Sequence, residues 1–287
     1  MNKYKNNLIL LITAMIWGGA FIAQSSGMDY VGPWTFTCVR SFEAAIFTLI
    51  SYPLIKKIVP TLSSFDKKKT IIGGLCCGLA LTPATIFQQI GIQYTTVGKA
   101  GFITALYCII VPFLSVFLKK KVTLQTWIAA TISLIGFYFL SIKDSFSLAS
   151  GDIYMLCSAF FFAIHILVID HFTTKANGVL MSATQFFVIG LLSLAPSLIY
   201  EEPSLIHIKE AIIPIVYAGI LSNGVGYTLQ IIGQRGADPT IATLILSLES
   251  VFSVIGGFLV LHEVLTVREL FGCCLVFIGV ILAQIKK

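Results

Sequence analysis

The chain has 287 residues, of which 57% are hydrophobic and only 11% charged, with a formal net charge of +6 and a mean hydropathy of +0.93. A soluble surface needs roughly 25% charged residues, so this composition excludes a water-soluble fold of any architecture. The basic excess lies in short clusters between apolar runs, which excludes a nucleic-acid-binding surface.

Apolar stretches of about 20 residues, each long enough to cross about 30 Å of hydrocarbon as a helix, fall in chain order at 7–25, 33–55, 70–91, 97–118, 123–141, 151–170, 178–199, 210–232, 239–261 and 265–285. Short segments alternating apolar and polar residues, the mark of a membrane β-barrel, do not occur. The expected fold class is therefore all-α integral membrane, with ten transmembrane helices. The first apolar run, after Met1 to Lys5, is longer than a secretory signal core. It reads as a retained span, although a small-residue site near Ala20 leaves cleavage as the alternative. The seven cysteines (Cys38, Cys76, Cys77, Cys108, Cys157, Cys273 and Cys274) all lie in apolar runs, two pairs of them adjacent. That arrangement suits packing better than metal chelation, and neither a metal nor another cofactor is expected.

If the spans alternate in direction, Lys3, Lys5, Lys56, Lys57, Lys67–Lys69, Lys119–Lys121, Lys175, Arg235, Lys286 and Lys287 share one face. The other face holds Lys99, Lys143, Lys209 and Arg268, together with acids that include Glu201, Glu202 and Glu210. This asymmetry is the positive-inside pattern, placing both termini in the cytoplasm. Lysine-rich, arginine-poor usage points to a bacterium with an AT-rich genome, and hence to the plasma (inner) membrane.

Polar residues within the spans are the candidate site. Trp17 and Gln24 lie seven apart on span one. Arg40 and Glu43, three apart on span two, share a helix face; they form either a self-neutralised structural pair or gating and substrate-contact charges. Gln88, Gln89 and Gln93 follow on span three, Tyr107 on span four and His165 on span six, the histidine as a cavity-lining or packing residue rather than a metal ligand. Span eight carries Asn223, Tyr227, Gln230 and Gln234 at offsets of 0, 4, 7 and 11, one face of a helix. This stripe and its span-three counterpart either flank opposite mouths of a cavity or make interhelical hydrogen bonds. Glu249 lies near the middle of span nine with no basic neighbour on its own helix. It is a candidate for amine binding or proton coupling, or a structural hydrogen-bonded carboxyl. An ionised group at the centre of a span costs about 2.5–3.5 kcal/mol, so Arg40, Glu43 and Glu249 each need a partner or water.

The two halves of the chain parallel each other. Ala14-Met-Ile-Trp17-Gly-Gly matches Ser158-Ala-Phe-Phe161-Phe-Ala, Gln88-Gln89 and its neighbours match the run around Gln230, and Thr123 with Gly136 matches Thr266 with Gly279. The offset is nearly constant, about 141–144 residues. The expected units are 1–141 and 151–287, joined by a linker at 142–150. Each holds five spans, an odd number, so the second is inverted relative to the first, the architecture by which many carriers build alternating access.

The Trp17-Gly18-Gly19 start, Arg40 in span two, the run Gly98-Lys-Ala-Gly101-Phe-Ile-Thr, and Glu263-Val-Leu-Thr266 leading to Gly272 and Gly279 resemble the drug/metabolite transporter (DMT) superfamily, specifically ten-helix members with two EamA-type repeats. The resemblance covers essentially the whole chain. Lys119-Lys120-Lys121 departs from it, standing where the family has Gly-Glu before span five. The resemblance implies a central cavity lined by helices one, three, four, six, eight and nine, with five and ten peripheral. It also implies transport of small polar or amphipathic molecules.

A secondary-active carrier working by alternating access is the expected function, an amino-acid-like or other neutral or cationic solute the expected substrate. A channel or receptor-like protein is the alternative, and a membrane-embedded enzyme a more distant one. His165, His171, His207 and His262 are scattered, no HExxH occurs, and no phosphate-binding loop is present. The expected partners are the substrate, the lipid bilayer and a candidate coupling proton, with no nucleic acid, in a monomer or homodimer.

Overall fold

Sequences this apolar have one way to satisfy their backbone in hydrocarbon without a closed barrel, which is to form helices, and the computed structural model is all-helical. It describes residues 3–58, 65–95, 97–141, 150–260 and 266–285. The expected linker, all but its last residue, lies outside the described residues, as do Glu263 and the terminal lysines 286–287.

The spans, numbered one to ten, run Lys3–Gly27, Pro33–Ile58, Lys67–Gly91, then Val97–Ala105 continued by Tyr107–Phe117, Leu124–Ser141, Ser150–Phe172, Gly178–Tyr200, then Ile212–Val216 leading through Tyr217–Tyr227 to Thr228–Gly233, then Pro239–Leu246 continued by Glu249–Val260, and Val267–Gln284. Among the described residues, nine are long and apolar enough to cross a membrane, and the fifth contributes a shorter apolar helix. The chain is a ten-helix membrane protein, and large apolar side chains such as Ile50, Phe117, Ile199 and Phe271 face outward along it. A short helix, Leu205–Glu210, precedes span eight.

Local chemistry sets the helix ends. Asp66, Asn177 and Asp238 cap spans three, seven and nine through their side chains, and Thr266 with Glu269 forms a reciprocal box at span ten. Asp66 precedes the first residue of span three, and the Lys69 amide holds its carboxyl below the ordinary value. The start of span two is capped from a distance: the Glu201 carboxylate accepts from the amides of Trp34 (2.9 Å) and Thr35 (2.7 Å). Gly32 makes room for it, since a Cβ there would lie 2.2 Å from the Glu201 carboxyl carbon.

Small residues let the helices touch. A Cβ at Gly136 would lie 2.8 Å from Val276, and one at Gly279 would lie 2.2 Å from Ser133. Spans five and ten thus meet through two reciprocal contacts. Gly74 and Gly78 of span three similarly press against Thr184 and Val188 of span seven, as small residues do when packing must replace the hydrophobic effect between helices in lipid.

Three spans are irregular, and their irregularities converge at mid-depth. Span four breaks at Leu106, whose amide bonds to Ile103 in a tightened i→i+3 turn, and Tyr107 opens the second piece. Span nine breaks at Ser247–Leu248, where Leu248 bonds to Ile245 in the same way and Glu249 opens the second piece. The Ser247 hydroxyl donates to the Leu244 carbonyl, a local competitor to regular helix hydrogen bonding. Span eight widens into a π-helix over Tyr217–Tyr227, a form that recurs at functional sites.

Candidate functional site

The convergent irregular segments, together with spans one, two, three and six, surround a narrow cavity at the centre of the bundle. Span one contributes Trp17 and Gln24, span two Arg40, span three Gln88, span four Thr104 and Tyr107, span six Phe162 and Ile166, span eight Ser222, Asn223, Tyr227 and Gln230, and span nine Glu249. Gln24 and Gln88 stand about one turn from the lysine-poor ends of their helices, and Gln230 about one turn from the lysine-rich end of its own. Spans five and ten contribute nothing to the lining and span two contributes Arg40, so the set of lining helices is wider than the resemblance implies.

Two ionisable side chains, Arg40 and Glu249, line the cavity. Arg40 is 2% exposed, about 10 Å along span two from its Pro33 end. Its guanidinium lies over the Phe36 ring at 5.2 Å, its Nε has no hydrogen-bond partner, and it makes no ion pair among the described residues. Glu249, 4% exposed, accepts a hydrogen bond from the Tyr107 hydroxyl at 3.0 Å. As the first residue of its helical piece it sits at the positive end of the helix dipole. Tyr227 lines the cavity with both. Its ring packs on Trp17 with centroids 4.5 Å apart, and the Trp17 indole N–H donates to the Ser222 carbonyl at 3.2 Å. Gly226 permits this approach, since a Cβ there would lie 2.7 Å from the indole nitrogen. Among the described residues Asn223 Nδ2, Gln24 Oε1 and Gln230 Oε1 are buried without partners, while Gln88 donates weakly to Thr104 at 3.4 Å.

The local Arg40–Glu43 pair that their spacing permits does not form. Helical rotation turns Glu43 away from the cavity onto span eight, where its carboxylate occupies the space opened by Gly219. Gln89 also turns aside, donating to the Gln24 carbonyl at 3.0 Å. His165 is buried behind the cavity, its Nε2 3.0 Å from Gln185 Oε1 and its ring against Tyr227. Of the residues singled out in the sequence, Trp17, Gln24, Arg40, Gln88, Tyr107, Asn223, Tyr227, Gln230 and Glu249 come together, and Glu43, Gln89 and His165 do not. Lys99 is committed elsewhere, 2.5 Å from Asp152. Among the described residues no three His, Cys, Asp or Glu side chains converge as a metal site.

Both faces of the bundle are clasped. At the lysine-poor face Asp152 of span six holds Lys99 and Thr95. At the lysine-rich face Arg235 donates to the carbonyls of Thr173 (2.9 Å) and Ala176 (3.3 Å), lies over the Phe65 ring, and offers its own carbonyl to Asn6. Lys120 pairs with Asp170 nearby.

The sequence profile of the EamA-like transporter family matches residues 5–142 and again 149–284. This chain belongs to the EamA-like transporter family. An uncharacterized transporter of Archaeoglobus fulgidus is 31% identical over 281 residues, covering 98% of this chain and 86% of the relative. The uncharacterized transporter YoaV of Bacillus subtilis is 23% identical, covering 94% of both. A crystal structure of a protein at 16% identity superposes with a TM-score of 0.80, covering 99% of this chain and 97% of the other; that likeness concerns the fold alone. For this EamA-like chain, two features of the cavity escaped the helical wheel. Thr104 and Ser222 lie in runs whose small residues gave no periodic signal. The widening of span eight comes after Pro214 and contains three glycines (Gly219, Gly224 and Gly226), a cluster that could have marked it.

Proposed function

We propose that the protein is a secondary-active carrier of amino-acid-like zwitterions, moving them by alternating access between two inverted five-helix halves, residues 1–141 and 151–287. The observation that carries the substrate class is a buried cation and a buried carboxylate lining one cavity without pairing with each other. Leaving both unneutralised in hydrocarbon costs several kcal/mol, a cost that a ligand bearing a carboxylate and an ammonium would offset at both poles at once. Arg40 is the carboxylate anchor, since its planar fork matches that geometry, and Glu249, aligned by Tyr107, receives the ammonium. Tyr227 and Trp17 form the wall between them. Glu249 is also the carboxyl group among the described lining residues, and so the candidate carrier of a coupling proton.

The inverted arrangement is supported by pairs that obey the repeat offset. Tyr107 and Glu249 are 142 positions apart and hydrogen-bonded to each other. Two residues exchanged by a two-fold axis can touch only near that axis, so the cavity would lie on it. The helix breaks at Leu106 and Leu248 repeat the same offset, and discontinuous helices at corresponding positions are the pointer to a carrier's site. The lysine distribution supports cytoplasmic termini in a plasma membrane.

The test is counterflow of radiolabelled amino acids in proteoliposomes. Wild-type protein should give saturable exchange, with Arg40→Gln and Glu249→Gln each reducing it at least tenfold. Glu249→Gln should also remove stimulation by an imposed proton gradient. Substrates lacking either the carboxylate or the amine should compete at least tenfold more weakly. Non-saturable flux, or equal competition by the two truncated substrates, would sink this reading.

A further inference from the structure

A second cavity, roomier than the central one, lies between spans two, three and seven at the lysine-rich face. Leu49, Ile71 and Phe187 of its lining are exposed, so it lies open on the outer surface of the bundle. Its walls are three helical stripes: Leu49, Tyr52 and Lys56 on span two at i, i+3 and i+7; Lys67 and Ile71 on span three; Leu180, Thr184 and Phe187 on span seven. Lys56 lies two residues from the end of its span and Lys67 is the first residue of its own, whereas Leu49 and Phe187 each lie nine residues inside theirs. At 1.5 Å per residue the slot therefore runs about 14 Å from the interface into the bilayer, cationic at the mouth and apolar at depth.

The polar groups along it are mostly engaged. The Tyr52 hydroxyl accepts from Asn177 Nδ2 at 3.3 Å, and the Thr70 hydroxyl accepts from the Asn177 amide while donating to the Asp66 carbonyl. Of the nearby lysines, Lys69 pairs with Asp66, but Lys56 and Lys67 make no ion pair among the described residues. A water-soluble metabolite would leave the deep apolar walls unfilled, and a neutral lipid would leave two lysines facing its headgroup without compensation. We propose that this slot binds one anionic glycerophospholipid, its phosphate held by Lys56 and Lys67 and one acyl chain lying along Leu49, Leu180 and Phe187. Basic pockets between spanning helices suit such headgroups, and each lysine near an anionic headgroup contributes measurably. The proposal stands apart from the transport reading.

The experiment is native mass spectrometry of the intact chain released from nanodiscs containing equal phosphatidylglycerol and phosphatidylcholine. A single retained phosphatidylglycerol, favoured roughly tenfold over phosphatidylcholine, is expected. The double variant Lys56→Ala/Lys67→Ala should bring the two lipids to parity, and Ala183→Trp, which fills the slot, should displace both. A control pair, Lys119→Ala/Lys121→Ala, carries the same charge change outside the slot and should retain the preference. Equal retention by the unaltered protein, persistence of the preference in the Lys56/Lys67 variant, or its loss in the control pair would overturn the proposal. Size-exclusion profiles separate any of these from a failure to fold.

Discussion

At Glu249 a single hydrogen bond decides what the carboxylate can do. The Tyr107 hydroxyl fixes one oxygen at 3.0 Å, leaving the other to a ligand, so the pair reads as an aligned acceptor rather than a closed structural bond. Hydrogen bonds to charged groups contribute about 1.5–3 kcal/mol. Tyr107→Phe is therefore expected to weaken the apparent affinity for amine-bearing substrates by roughly tenfold, while substrates lacking the amine compete as before; competition curves in the counterflow assay check this. Arg40→Lys keeps the charge but loses the planar fork and is expected to restore only part of the activity lost in Arg40→Gln. Arg40 also shows what spacing can and cannot tell. Its position three residues from Glu43 was legible and permitted a pair, but the side chain of Glu43 follows the space left by Gly219 on another helix, which no local pattern records. Glu249 needed no such help: an acid with no basic neighbour in an apolar run already marked it.

Spans five and ten are held by Gly136 and Gly279, each meeting the other helix where a Cβ would collide. Overpacking of a close contact costs about 1–3 kcal/mol, so Gly136→Leu and Gly279→Leu should each lower the melting temperature by several degrees. Neither residue lines the cavity, so substrate affinity of the folded fraction should stay within about twofold, as ligand-dependent thermal shifts would report. Existence and extent of these spans were written in hydropathy, because about 20 apolar residues in succession leave the chain no other solution. The breaks in spans four and nine and the π-helical widening of span eight were not. In span nine a regular ladder competes with Ser247 back-bonding, and in span eight with glycine-permitted contacts to Trp17, Glu43 and Phe47.

For the whole molecule, the two clasped faces set the terms of motion. Arg235 ties the connection after span eight to the residues after span six, to Phe65 ahead of span three and to span one through four contacts, and burial draws its guanidinium below the ordinary value. Arg235→Ala is expected to open the lysine-rich face, seen as at least threefold faster labelling of a cysteine placed at Gln230, with Arg235→Lys intermediate. Topology has its own check. Cysteines introduced at Lys68 and Lys120 should react with an impermeant reagent from one side of the membrane, and one at Glu202 from the other. Labelling of Lys68 and Lys120 positions from opposite sides would invalidate the alternating arrangement of spans.

What the sequence alone determined was what the solvent enforces: ten apolar runs that must become helices, lysines concentrated in alternate connections, and a few polar residues too costly in hydrocarbon to be idle. Only the tertiary structure decided which of those residues share a cavity. The direction of a side chain on a helix deep in a bundle depends on breaks, widened turns and the small residues of neighbouring spans. These brought Arg40 and Glu249 to one space and sent Glu43, Gln89 and His165 elsewhere.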